Sequence, residues 1–479
     1  MFRRISKYFV AYFLKPYAKE TTIHGVSLVA MPNLHLVERL FWVVMILLSA
    51  TGASSLIISN WQRYIANPTV VSILKDYRNW NNLLPSATGC FKTKHSQELM
   101  DKYIEETWGI TINDTKYEYY SDFVKAVANT SYYSLNAFSK FQSNRNLSSV
   151  NLLELAAKVH PKLSGTLVTY DSTHKTGWKL IMAEQGVCFT VNNKFANVLT
   201  FNVKGVEVID ADADETLLTC HYLNGLCYAR YDSDPQSPID FFIHSYIEIA
   251  DAIEGRPHTL SESDELEVNY FMEETNPSPA LRKLTPSQRK CRFDDEPITK
   301  DLSVYSPTMC YLACRYRMVL KFCGCRPFFY HFLGGKVCNI SEMLCITKYI
   351  QEITKPSTEV NCQCPQPCHT ITYLPLPIKK ATWTSGYFDQ RITFRWGLLH
   401  PTTKYRRDIL FSFEDLVVSL GGSLSLFLGI SFISLIEIAY FLLNFFFHYF
   451  KRYSQKNRSN NRASKVKIIK RNYTKSRRF

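Results

Sequence analysis

Fourteen cysteines, all between Cys90 and Cys368, are the first side chains in this sequence with chemistry to offer. An even number confined to one stretch points to as many as seven disulfides formed in an oxidising compartment. Cys90, Cys188, Cys220 and Cys227 are spread thinly. The other ten, Cys291, Cys310, Cys314, Cys323, Cys325, Cys338, Cys345, Cys362, Cys364 and Cys368, form a dense block. In YSPTMCYLACRYRMVLKFCGC, Cys310 and Cys314 share a helical face at i, i+4. In CQCPQPC, Cys362 and Cys364 share a face if the segment is extended, so two bridges between these faces would form a ladder. Cys220 and Cys227 close a short loop suited to a bridge of its own. Close cysteine pairs also bind zinc, but the even count in an oxidising setting favours disulfides. No metal or cofactor is therefore expected.

Catalytic signatures are missing: the sequence has no G-x-S-x-G elbow, H-E-x-x-H, P-loop or G-x-G-x-x-G, so no enzyme is expected. Gly421-Gly422-Ser423 lacks the lysine that would follow it in a phosphate cradle, and it lies inside an apolar run. That run, residues 416–450, has Glu437 as its only acid and no Lys or Arg. At about 1.5 Å per residue it would reach roughly 52 Å, too long for one straight span normal to the bilayer, so it must tilt, break or project. Glu437 is costly there unless it faces water or a partner. An earlier run of 23 uncharged residues lies between Arg39 and Arg63. It suffices to cross a hydrocarbon core of about 30 Å, and it begins too late for a cleaved signal peptide.

The elements that position these residues follow from charge. The chain carries a net +14, yet residues 1–39 hold +4 and residues 451–479 hold +12, leaving −2 for residues 40–450. A nearly neutral centre lacks the basic face of a nucleic-acid-binding domain. Lys and Arg crowd just before the first run and just after the second, which places both termini in the cytoplasm. The organisation expected is a cytoplasmic segment 1–39, a first span 40–59, an outer domain 60–415, a second span 416–450 and a basic cytoplasmic tail 451–479. Usable glycosylation acceptors at Asn113, Asn129, Asn146 and Asn339 lie in the outer domain, whereas the sequons at Asn457 and Asn472 lie in the tail. Segments such as SQELMDKYIEETW and NLLELAAKVH have helical spacing, and GTLVTY, VCFTVN and NVLTFNVKGVEVI read as strands.

Several motifs resemble the epithelial sodium channel/degenerin family, and more narrowly its insect pickpocket subunits. His24-Gly25 resembles the family's cytoplasmic His-Gly motif, and Asn60-Trp61-Gln62-Arg63-Tyr64 with Pro68-Thr69 resembles the segment leaving its first span. LPSATGC at 84–90 is similar to Phe-Pro-Ala-Val-Thr-x-Cys, CFTVN at 188–192 to Cys-Tyr-Thr-Phe-Asn, and QRKCRF at 288–293 to the opening of the cysteine-rich part. LGGSLSLFLGISFISLIE, residues 420–437, resembles the pore helix almost position for position.

The resemblance implies an α+β disulfide-rich extracellular domain with palm, finger, thumb and knuckle regions on two transmembrane α-helices, assembled as a trimer. It implies that Gly429, Ile430 and Ser431 form the selectivity filter at a break in the second span. Val418, Ser419, Gly421 and Gly422 would line the gate and outer pore, and Glu437 the inner pore. Ser419, where relatives often carry Asp or Asn, brings no charge to concentrate cations. The nested ladder of the family joins Cys291 to Cys368, Cys310 to Cys364, Cys314 to Cys362, Cys323 to Cys345, Cys325 to Cys338 and Cys90 to Cys188. Relatives place a Cys-x6-Cys loop before the Cys-Tyr-Thr-Phe-Asn element, whereas Cys220 and Cys227 come after Cys188. The function implied is a subunit of a trimeric amiloride-class channel passing Na⁺ across the plasma membrane, alone or with related subunits in the lipid bilayer and without nucleic acid. Two other readings share the topology. One is a two-span receptor or accessory subunit, and the other an ATP-gated channel, which the Gly-x-Ser pattern and CQCPQPC oppose.

The topology is directly testable, because twelve uncompensated basic residues after the second run make its reversal costly. Tags at both termini should be protected in intact cells and accessible after permeabilisation, and glycosidase should lower the mass through some of Asn113, Asn129, Asn146 and Asn339. Detection of either tag on intact cells, or a glycan at Asn457, would overturn the two-span arrangement.

Overall fold

A computed structural model describes residues 9–171, 176–209, 216–300, 302, 304–360 and 362–452. It divides into two units, one of residues 70–408 and the other of 1–69 with 409–479. The expected tail lies outside the described residues beyond Arg452, with Asn457 and Asn472.

The larger unit is built on a strand of fourteen residues, Asp264–Pro277, in which burial alternates along most of its length. Leu266, Val268, Tyr270 and Met272 point inward and are almost wholly buried, the period-2 signature of a strand with one covered face. It pairs in parallel with Thr393–Leu399, Val268 opposite Trp396, and antiparallel with Thr370–Pro375 and Lys379–Thr382. Thr393–Leu399 in turn pairs antiparallel with Cys227–Ser233, and that strand with Gly165–Thr169. A second sheet runs His258–Leu260, Ile239–His244, Ser86–Phe91, Gly186–Val191 and Lys179–Ala183 in spatial order. Aromatic rings fill the core that the sheets share. Phe394 stacks on Phe241 at 4.5 Å and on Trp396 at 5.3 Å, and the Trp396 Nε1–H donates to the Pro85 carbonyl at 3.1 Å.

A separate, mostly helical core gathers Gln97–Trp108, Tyr117–Ala128, Leu152–Lys158, Pro307–Cys323 and Ile340–Lys348 around buried Met100, Ile104, Phe123, Val127, Leu155 and Met343. The expected helices of this region and the strands at GTLVTY and VCFTVN are present. NVLTFNVKGVEVI is not a strand. It forms the short helix Ala196–Leu199 and then a loop in which Phe201 and Val203 face the helical core, touching the sheet through Leu180 N–H to Val208 at 2.7 Å. Its apolar residues are explained by packing rather than by pleating, and burial of a loop leaves the same composition as a strand.

All fourteen cysteines are bonded: Cys90–Cys188, Cys220–Cys227, Cys291–Cys368, Cys310–Cys364, Cys314–Cys362, Cys323–Cys345 and Cys325–Cys338. Cys310 and Cys314 do lie one turn apart on Pro307–Cys323. Cys362 and Cys364 are held by tight backbone hydrogen bonds instead of an extended run. The helix also carries Arg315, which binds Glu184 in a fork at 2.8 and 2.6 Å with both side chains nearly inaccessible. The Tyr330 hydroxyl donates to the same carboxylate at 2.5 Å and meets Tyr132. Removing one member of a buried pair leaves an uncompensated charge, a cost of about 3–5 kcal/mol. Arg315→Ala should therefore lower the unfolding temperature of the purified protein and cut its surface delivery, whereas Lys102→Ala, in an exposed pair, should do neither. Equal effects from both would show that the buried pair does not hold the unit.

Candidate functional site

The smaller unit contains two helices long and apolar enough to cross a membrane, Leu36–Ala66 and Phe432–Arg452. The first begins before residue 40 and ends after residue 59, so the helix overruns the expected span at both ends. The second apolar run is two helices. Phe413–Leu428 starts with a capping box in which Ser412 and Asp415 satisfy each other's backbone N–H groups, and it stops at Gly429. Gly429 is left-handed at φ 66°, with its N–H on Ser425 O at 2.9 Å and the Ile430 N–H on Leu424 O at 3.3 Å. This is the glycine stop by which helices close their last carbonyls.

Ser431 then starts the next helix. Its hydroxyl accepts from Ser434 N–H at 3.4 Å, while Ser434 Oγ accepts from Ser431 N–H at 3.1 Å. The hydroxyl thus caps a new N-terminus as Ser does elsewhere. Gly-Ile-Ser is a stop, a spacer and a start, which places a break inside the overlong run.

Residues 9–30 fold back against this break. Phe13, Phe441 and Phe445 form a buried cluster, with Tyr17 edge-on to Phe441 at 5.6 Å. The chain turns at left-handed Gly25, the His24 N–H donates to the Leu428 carbonyl at 3.0 Å, and the Gly429 face is filled by the His24 ring. A Cβ on Gly429 would stand 2.0 Å from His24 Nδ1. Thr22 completes the docking. Its hydroxyl donates to Glu437 Oε2 at 2.9 Å and meets Ser434 Oγ at 2.8 Å, and its N–H reaches the same carboxylate oxygen at 3.3 Å.

The structure therefore brings His24, Gly25, Gly429, Ser431 and Glu437 together. The sequence motifs named all five of these residues but not Thr22, Tyr17 or Phe13; the aromatic spacing Phe9, Phe13, Tyr17 at i, i+4 was the available signal. Val418, Gly421 and Gly422 lie farther along the Phe413–Leu428 helix on an exposed face with Ser425, at i, i+3, i+4 and i+7, and Ser419 is half-buried. Among the glycosylation acceptors, Asn113 and Asn146 are exposed, Asn339 caps helix Ile340–Lys348, and Asn129 Oδ1 accepts the Lys94 backbone N–H at 3.0 Å.

One cluster has the composition of a metal site: His400 Nε2 lies 3.4 Å from Cys220 Sγ and 4.0 Å from Cys227 Sγ. Its hydrogen bonds assign it otherwise. Asn82 Nδ2 donates to His400 Nδ1 at 3.0 Å and Nε2 sits 2.6 Å from the Gly225 carbonyl, so Nε2 carries the proton and has no lone pair for a metal. The sulfurs are bonded to each other rather than free as thiolates.

Residues 17–441 match the amiloride-sensitive sodium channel family. The chain belongs to that family. It is 27% identical over 271 residues to the sodium channel protein Nach of Drosophila melanogaster, covering 52% of this chain and 50% of that protein. It is 28% identical over 191 residues to pickpocket protein 19 of the same species, covering 35% and 37%. The chain spans about half the length of the first curated relatives it matches. Over greater length, it is 23% identical to the bile acid-sensitive ion channel of Rattus norvegicus across 471 residues, 91% of this chain and 88% of that one. Like other members of the amiloride-sensitive sodium channel family, it is a two-span membrane protein and not an enzyme.

The docking of Thr22 on Glu437 has a measurable consequence. Thr22→Val removes the hydroxyl bond to Glu437 and Glu437→Gln removes the charge that strengthens it, so both act on one shared hydrogen bond worth about 1–3 kcal/mol. In a double-mutant cycle read from heat stability, Thr22→Val and Glu437→Gln should be less than additive by about 1 kcal/mol. Full additivity would show that the two residues do not meet.

Proposed function

We propose that the chain is one subunit of a trimeric, sodium-selective, amiloride-class channel of the plasma membrane, alone or with related subunits. Na⁺ moves passively down its gradient, both termini are cytoplasmic, and the disulfide-rich unit is extracellular. The observation that carries this reading is the stop-and-start at Gly429-Ile430-Ser431, a helix break within a largely apolar run of 35 residues. A break in lipid is tolerated where backbone lines water or protein, and there its carbonyl and hydroxyl oxygens can replace the hydration shell of a hard cation. Gly429, Ile430 and Ser431 are accordingly assigned to the filter. The exposed face of Val418, Gly421, Gly422 and Ser425 suits three helices converging on one axis, because small residues permit close approach. Glu437 is assigned to the inner pore and His24-Gly25 to its gating motif.

The test uses the smallest combination of subunits that conducts. Any side chain at Gly429 is strained at φ 66° and collides with His24, so Gly429→Val should abolish current at normal surface density. Ser431→Ala removes one oxygen and the helix cap with little change in volume, and it should narrow the preference for Na⁺ over K⁺, read as a shift in reversal potential on exchanging the external cation. If both variants reach the surface, by biotinylation, with wild-type amplitude and reversal potential, the triplet only packs helices and a two-span receptor or accessory subunit becomes the better reading.

A further inference from the structure

Lys94 sits in the larger unit, far from any role assigned so far, and its position is costly. The side chain is only 9% exposed, and burial pushes the ammonium down to about 8 against the pull of Asp240. Asp240 does not close an ion pair with it. That carboxylate is 3.6 Å from Lys92 and accepts from the Thr259 hydroxyl at 2.5 Å. The Lys94 ammonium instead lies over left-handed Gly186, 3.3 Å from where a Cβ would stand, so the missing side chain is what makes room for it. Nearby His160 adds no charge, since burial and then Lys94 itself hold its ring down to about 3. Gln185, in the turn before Gly186, has both amide atoms buried with no hydrogen-bond partner among the described residues.

Lys92, Lys94, Gln185 and Asp240 line one cavity of about 280 Å³, which also contains Phe91 and Phe242. Two lysines and one aspartate give it a net charge of +1. A largely buried lysine whose ammonium has no hydrogen bond among the described residues, beside an unpaired amide and aromatic walls, has the elements of a ligand pocket: a few polar groups fixing orientation next to apolar surface. We propose that this cavity binds a small organic carboxylate, its acid group on Lys94 and the Gln185 amide, its apolar body against Phe91 and Phe242. Gln185 offers a donor to the acid and an acceptor to a hydroxyl elsewhere on the ligand, so a hydroxy acid with an aromatic body matches the polar atoms of Lys94 and Gln185. A charge-assisted contact to a largely buried ammonium supplies most of the discrimination. The site does not depend on conduction by the assembly, and its test is independent of current.

The probe is 3-phenyllactate, compared with its neutral amide, on the purified full-length chain in detergent, with affinity from calorimetry and stability from the unfolding temperature. The acid should bind and raise the unfolding temperature, and the amide should bind at least about 10-fold more weakly. Lys94→Met should weaken the acid by about 10- to 100-fold while raising the unfolding temperature of the unliganded protein, because a buried charge is replaced by a chain of similar length. Gln185→Leu should weaken the acid several-fold. The proposal fails if millimolar 3-phenyllactate does not bind, if acid and amide bind alike, or if either variant keeps wild-type affinity. It fails also if chloride at the same concentration gives the whole stabilisation, since the cavity then holds a bare anion.

Discussion

Backbone amides and carbonyls in a bilayer must all find partners, and the break at Gly429 is where this chain has to meet that demand without a continuous helix. It does so locally and then at a distance. The left-handed glycine lets the N–H groups of 429 and 430 return to the last turn, and Ser431 with Ser434 caps the new start. The Leu428 carbonyl, left over by the stop, is taken by the His24 N–H. The folded-back segment 9–30 is thus part of the break's hydrogen-bond inventory. Its aromatic contacts with Phe441 and Phe445 hold it where that bond can form.

In the larger unit, rigidity comes from two sources that constrain different things. Five disulfides staple the segment from Cys291 to Cys368, and each limits the unfolded chain, typically for about 2–4 kcal/mol. The Arg315–Glu184 fork ties that stapled segment to the hairpin of the second sheet, with Tyr330 and Tyr132 completing the network. A bridge fixes partners in the chain, whereas a buried fork with hydroxyl partners also fixes orientation. Glu184 stands beside Gln185 and Gly186, so the residue that anchors the staple also positions the Lys94 cavity.

Much of this was legible in the sequence where one residue type does one physical job. Each apolar run supplies a helix long enough to cross a membrane, the overlong run implied a break, and Gly429 with Ser431 are the stop and start residues a break requires. The central strand Asp264–Pro277 alternates along its whole buried face only when burial is known, since that face includes Asp264 and Glu274 and the outer face includes Phe271. The reading of NVLTFNVKGVEVI as strand failed because apolar content reports burial and cannot by itself distinguish a pleated segment from a loop lying on a core. Residues 1–39 were read as a cytoplasmic segment with one motif, and the return of residues 9–30 along the second helix pair was invisible because it depends on contacts more than 400 positions apart. Lys94 and Gln185 carried no sequence signal at all, as a lysine and a glutamine in a loop and a turn are ordinarily solvated.

Glu437 shows how those two kinds of information combine. By sequence it had two roles open to it, an acid facing a watery path or one held by a structural partner. The geometry gives it a partner on one side only: Thr22 supplies both donors to Oε2, and Oε1 has no hydrogen bond among the described residues. A carboxylate held by one oxygen keeps its orientation while its other oxygen stays available to water or a cation. In the proposed trimer three such oxygens would ring the inner path, each fixed by the N-terminal segment of its own subunit. In that trimer the same contact would tie the field at the inner mouth to the docking of residues 9–30, so that a shift of the segment would change both the shape of the break and the charge presented there.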